Sequence, residues 1–206
     1  MTQSELSKLL KTANNQFQSD YPLLLLLCRT GMRIGEAIAL KWEDLDFNNR
    51  FITVRRAINS LRNIDTPKGA KTRKVDMSLQ LKMELEQLLL KRKIQKLENG
   101  WKEVPKWVFI NACGKTLDKN NWRNRVFNKV VEAAGLRKIR IHDLRHTFAS
   151  LLIQAGESLA YVKDQLGHHS IQVTVDIYGH LVPGGNKDAV DRLDDLFSVI
   201  AESAIP

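Results

Sequence analysis

Residues 23–27 are five consecutive leucines, flanked by Pro22 and Cys28. A stretch apolar on every side has no face for water, so whatever it forms must lie under other elements. Pro22 suits a first helical turn, where the missing N–H leaves nothing unpaired, and the run reads as a buried helix through Cys28. It is far shorter than the roughly 20 apolar residues that cross a bilayer. No basic, apolar, small-residue leader precedes it, so the expected setting is the cytoplasm, with no membrane partner. The chain's 206 residues suffice for one sizeable domain with a small appendage. Cys28 and Cys113 are the only cysteines and form no CxxC, which points to neither a disulfide framework nor a thiolate zinc site.

Around that run the pattern is mostly helical. Leu6, Leu9 and Leu10 mark an amphipathic opening helix over 2–15; Thr30-Gly31 interrupts, and Ile34, Ala37, Ile38 and Trp42 restart a helical period. Asp46-Phe47-Asn48-Asn49-Arg50 is a turn signal, after which 51–54 reads as a strand. Further strands are expected at 72–77 and 107–110, and a long helix over 81–97. From Lys119 the helical pattern resumes, broken at Gly135, Gly156 and Gly167, until Pro183-Gly184-Gly185 forms the clearest hinge. Trp42, Trp101, Trp107 and Trp122 read as core or half-buried anchors. The expected fold is mainly α with a small antiparallel β-sheet, with residues 1–185 as one domain and 186–206 as a C-terminal helix or tail.

The formal net charge of +9 favours a polyanionic partner. Its distribution sharpens this. Between Arg55 and Val75 stand seven bases (Arg55, Arg56, Arg62, Lys68, Lys71, Arg73, Lys74) against one acid, Asp65. Residues 186–206 carry two bases against five acids. A field polarised in this way suits docking on a phosphate backbone.

Three blocks carry the chemistry: TGMRIGEAIAL with Arg33 and Glu36, IHDLRHTFAS with His142 and Arg145, and LGHHSIQVTVDIYGH with His168 and Tyr178. Two arginines that fork onto one phosphate, histidines for proton handling and a tyrosine nucleophile suffice to break a phosphodiester without a metal. Taken singly, each signal has a plainer reading. An HxxR pair also describes a capped helix with a surface ion pair, and a lone tyrosine is commonly a core aromatic. Small and polar neighbours, Gly179 and His180, place Tyr178 in an exposed segment, and His146 is expected to face elsewhere in a structural role. His142 and His146 have the i, i+4 spacing of zinc ligands, but no acid follows as in HExxH, so no metal is expected.

Together the blocks resemble the catalytic domain of the tyrosine recombinase (phage integrase) family, in the family's order, from about Thr30 to His180. The resemblance implies that Arg33 and Arg145 bind the scissile phosphate, and that Tyr178 is the nucleophile. His142 matches the HxxR histidine, His168 the LGH histidine, and Glu36 a frequently acidic supporting position. The family's catalytic lysine lies in a hairpin turn; in TPKGAKTRKVDM it matches Lys68, with Lys71 as competitor. The leader is too short for the separate N-terminal domain of family members, so the chain reads as a catalytic fragment or a minimal member.

The implied activity is site-specific DNA recombination of the integration or excision type, through a 3′-phosphotyrosyl intermediate and without a cofactor. His142 is the expected general base, Lys68 the general acid and His168 a donor to a non-bridging oxygen. Double-stranded DNA is the implied partner, bound by a homotetramer with accessory DNA-bending or directionality proteins; the C-terminal helix over 186–206 either packs onto a neighbouring subunit, as often in the family, or folds back on its own domain. A type IB topoisomerase-like enzyme would relax DNA without exchange. A DNA-binding regulator of the same fold would lack catalytic residues, and a zinc hydrolase would be chelator-sensitive.

Overall fold

The computed structural model describes residues 1–59, 63–65, 72–182, 187 and 190–194. Helix α1 (Gln3–Gln16) starts at a capping box: the Thr2 hydroxyl accepts from the Glu5 amide at 3.1 Å, and the Glu5 carboxylate accepts from the Thr2 amide at 2.8 Å. The leucine run forms α2 (Tyr21–Thr30), with Leu23 to Leu27 at most 1% exposed. Helix α2 packs against α1 and against α3 (Ile34–Ala37). The helical period expected to reach Trp42 is therefore cut to one turn. Lys41 instead bridges to Trp107, and Trp42–Asp44 forms a 3₁₀ turn.

Strands β1 (Leu45–Asp46) and β2 (Phe51–Val54) flank the expected turn, where the Asn49 amide donates to Asp46 Oδ1 at 2.9 Å. Strands β3 (Ala57–Ile58) and β4 (Ile64–Asp65) make a small separate ribbon, and β5 (Arg73–Asp76) returns to pair with β2. The sheet is antiparallel in the order β1-β2-β5, with fully buried Ile52 opposite Val75 on its inner face. The strand expected at 107–110 does not join it. Val108 and Phe109 are buried, but the segment pairs across a loop, Val108 N donating to Leu40 O and Trp42 N to Lys106 O.

Helix α4 (Leu79–Glu98) begins at Ser78 and buries Leu81, Leu85 and Leu88. Helix α5 (Lys119–Trp122) runs through a π turn into α6 (Asn128–Ala133). Then come α7 (Ile141–Gln154), α8 (Leu159–Leu166) and α9 (Ile171–Tyr178). Both α4 and α7 pack on α2, so the leucine helix sits at the centre of the main core. A second apolar cluster joins the last three helices through Ala149, Ile153, Val162, Leu166 and Tyr178. The expected hinge at 183–185 and most of the tail lie outside the described residues; Val190 and Leu193 are 63% and 49% exposed. Among the described residues no helix is long and apolar enough to cross a membrane.

Candidate active site

Helix α2 ends where Gly31 adopts φ +60, and the chain turns so that Arg33 stands just before α3. A side chain at position 31 would be strained there, and its Cβ would lie 2.5 Å from the Phe148 ring. The Gly31 carbonyl accepts from Arg145 Nη1 at 2.7 Å, and Leu166 O accepts from Nη2 at 2.7 Å. Arg145, only 3% exposed, is thereby fixed between the turn that carries Arg33 and the end of α8. Two of its five N–H groups are engaged in these bonds. Burial first, and then the Arg33 charge, lower its pKa to about 10, which leaves it cationic at neutral pH.

Glu36 lies beneath the two arginines, 1% exposed. Its carboxylate accepts from the Arg33 amide at 2.9 Å and from Arg33 Nη1 at 3.2 Å. Arg73 of β5 grips both of its oxygens, at 3.0 and 2.8 Å, and donates through Nε to Gln165 O at 3.2 Å. Burial alone would raise the Glu36 carboxyl, but the Arg73 fork, with Arg33, brings it below the usual range. Gly167, at φ +68, lets the chain pass Arg73, since a Cβ there would lie 2.7 Å from Arg73 Cδ.

Past Gly167, His168 Nδ1 meets Thr174 Oγ1 at 2.9 Å. Burial and the charges of Arg145 and Arg33 push the His168 pKa down to about 4, so the ring is neutral. Tyr178 ends α9 with its ring 3% exposed, which corrects the expectation of an exposed residue. The ring fills the small cluster under α7–α9, and its hydroxyl reaches His146 Nδ1 at 2.8 Å. Burial raises the phenol's pKa and Arg145 opposes the rise. His142 packs edge-on against His146, with ring centroids 4.7 Å apart. Burial and the neighbouring cations lower the His142 pKa as well.

Arg33, His142, Arg145, His168 and Tyr178 thus line one open cleft of about 410 Å³, together with His146 and His169. Four separate segments supply them. Lys68 and its competitor Lys71 lie outside the described residues. The profile of the phage integrase family matches residues 1–183. The chain belongs to the phage integrase family. Among relatives of this integrase-family chain, the tyrosine recombinase XerC-like protein of Caldanaerobacter subterraneus subsp. tengcongensis is 31% identical over 192 residues, 85% of this chain and 49% of that one. The ICEBs1 integrase of Bacillus subtilis is 31% identical over 196 residues, 87% of this chain and 49% of its own. The chain thus spans about half the length of these curated relatives. The Tn1549 transposon integrase, solved in complex with transposon right end DNA, shares its fold: TM-score 0.75 at 23% identity, over 96% of this chain and 65% of that one.

Sequence reasoning left His146, Arg73, Thr174 and Gln165 without a part in the site. The first had a signal: residues i, i+3 and i+4 share a helical face, so His146 belongs with His142 and Arg145 and does not face elsewhere. Arg73 was one base among seven, and nothing in its spacing ties it to Glu36, 37 positions earlier.

Proposed function

We propose that this integrase-family chain is the DNA-cleaving part of a site-specific recombinase, joining DNA to itself through a 3′-phosphotyrosyl bond at Tyr178. One observation carries the reading: the cleft gathers two arginines, neutral histidines and the tyrosine hydroxyl from segments far apart in sequence. Arg33 and Arg145 offer planar, permanently charged forks to the phosphate, and their charge counters the extra negative charge of the pentacoordinate transition state. Arg145 is preorganised by its carbonyl contacts, and Glu36 orients Arg33. His142 and neutral His168 face the same anion; a Thr174 hydroxyl donating to Nδ1 leaves the His168 proton on Nε2, as a donor to a non-bridging oxygen. Lys68 is the general acid for the leaving 5′-oxygen. Double-stranded DNA and further copies of the chain, four on a paired site, are the partners, with accessory proteins setting direction.

A pool of nicked duplexes with randomised arms, incubated with the chain in EDTA and resolved in SDS, tests this. The wild type should yield covalent protein–DNA adducts and Tyr178→Phe none, while noncovalent binding persists. Absence of any wild-type adduct, or an adduct with Tyr178→Phe, would overturn the reading.

A further inference from the structure

The geometry points to His146, in place of His142, as the base that takes the phenolic proton of Tyr178. This inference rests on the recombinase reading and deepens it. The hydrogen bond to the phenol belongs to His146, Nδ1 to Oη at 2.8 Å, with the two rings tilted at 55°. A base must lie within hydrogen-bond reach of the proton that it removes, and this pair is already at that distance. His142 meets His146 edge to face, so it backs the base and shares its cleft.

The surroundings keep His146 ready to accept. Burial is the largest influence and lowers its pKa; Asp143 opposes this, while Arg145, Arg140 and the chain's N-terminus lower it further. Among the described residues the same cleft also brings His142 on its own helix, Tyr178 on α9, and Arg33, His168 and His169 around His146. An imidazole that is neutral at neutral pH has a free lone pair on one nitrogen, and with the ring proton on Nε2 that lone pair is on Nδ1, facing the phenol. A buried phenol that resists ionisation needs such a partner.

As Tyr178 Oη closes on phosphorus, its O–H bond breaks and the proton passes to His146 Nδ1, giving an imidazolium. The P–Oη bond forms while the P–O5′ bond breaks, and the departing 5′-oxygen takes a proton from the proposed general acid, Lys68. In the rejoining step an incoming 5′-hydroxyl attacks phosphorus and gives up its proton to the lysine; the P–O5′ bond forms as the P–Oη bond breaks, and the imidazolium returns its proton to the departing phenolate.

Asn is the informative substitution, because its side-chain amide can still meet the phenol but cannot take a proton. With a duplex recovered from the randomised pool, adduct formation is followed in single turnover from about pH 5.5 to 9. His146→Asn should bind that DNA as tightly as wild type yet form adduct roughly 10²-fold more slowly, with a rate that climbs steadily with pH where the wild type levels off. His142→Asn should keep the wild-type pH shape. If His146→Asn does not bind DNA, His146→Ala supplemented with free imidazole decides the matter: partial restoration supports the assignment and none overturns it. A His146→Asn rate within about threefold of wild type, or a levelling-off lost in His142→Asn instead, overturns the inference while leaving the Tyr178 reading intact, since that stands on the Tyr178→Phe adduct assay.

Discussion

Arg145 is anchored by two main-chain carbonyls before any phosphate arrives. A lysine there would bring a point charge, lose the fork and leave a buried carbonyl short of a donor. Arg145→Lys should therefore slow adduct formation by about 10²-fold or more at saturating DNA, as read in the SDS gel. Glu36 makes a second prediction. Its folded carboxyl is held low by Arg73 and Arg33 against the effect of burial, whereas an unfolded glutamate titrates near about 4.3. The ionised group thus stabilises the fold above that pH, and the contribution is lost as pH falls through the lowered folded value. Thermal melts between about pH 6 and 3 should show a steeper acid decline for wild type than for Glu36→Gln; equal slopes would refute the clamp. At this scale the sequence was legible where a residue type has few other uses. Paired arginines and a tyrosine in ordered blocks stood out, whereas Thr174 and Gln165 did not, because their roles depend on which backbone happens to lie alongside.

Strand β5 and helix α8 form the joint on which the site turns. Gln165 accepts from the Asp76 amide at 2.9 Å, Tyr161 donates to the Asp76 carboxylate at 2.6 Å, and Arg73 spans from Glu36 to Gln165 O. Strand β5 is thereby tied to the turn that presents His168. Removing Arg73 would leave the buried Glu36 carboxylate with Arg33 as its remaining cation, a change whose cost approaches the roughly 3–5 kcal/mol of an uncompensated buried charge. Urea unfolding of Arg73→Ala should register a loss of that order, and the loss should shrink sharply in a Glu36→Gln background. Elements with a strong local signal were readable in advance. The leucine helix, the long α4 and the strand at 51–54 follow from apolar runs, periodicity and β-branched content. The segment at 107–110 has the same apolar content as a strand, and only tertiary pairing with Lys41 and Leu40 reveals that it is a clasp.

Across the whole molecule, charge is divided between a basic body and an acidic tail. Val190 and Leu193 turn apolar side chains outward in the described part of that tail, and the proposed tetramer would use them against a neighbouring copy. Truncation after Gly185 should leave adduct formation on a single site intact while reducing multi-subunit assemblies on DNA, measured by light scattering of the complexes. Unchanged assembly size would return the tail to its own domain. Helix α9 is eight residues long and bears Tyr178 at its end, with Thr174 one turn earlier holding His168. Any swing that carries the phenol toward a backbone also drags the hydroxyl on which the imidazole leans. In the proposed reaction both contacts would ride on one short lever, so a copy that withdrew Tyr178 would also loosen the Thr174 hold on His168.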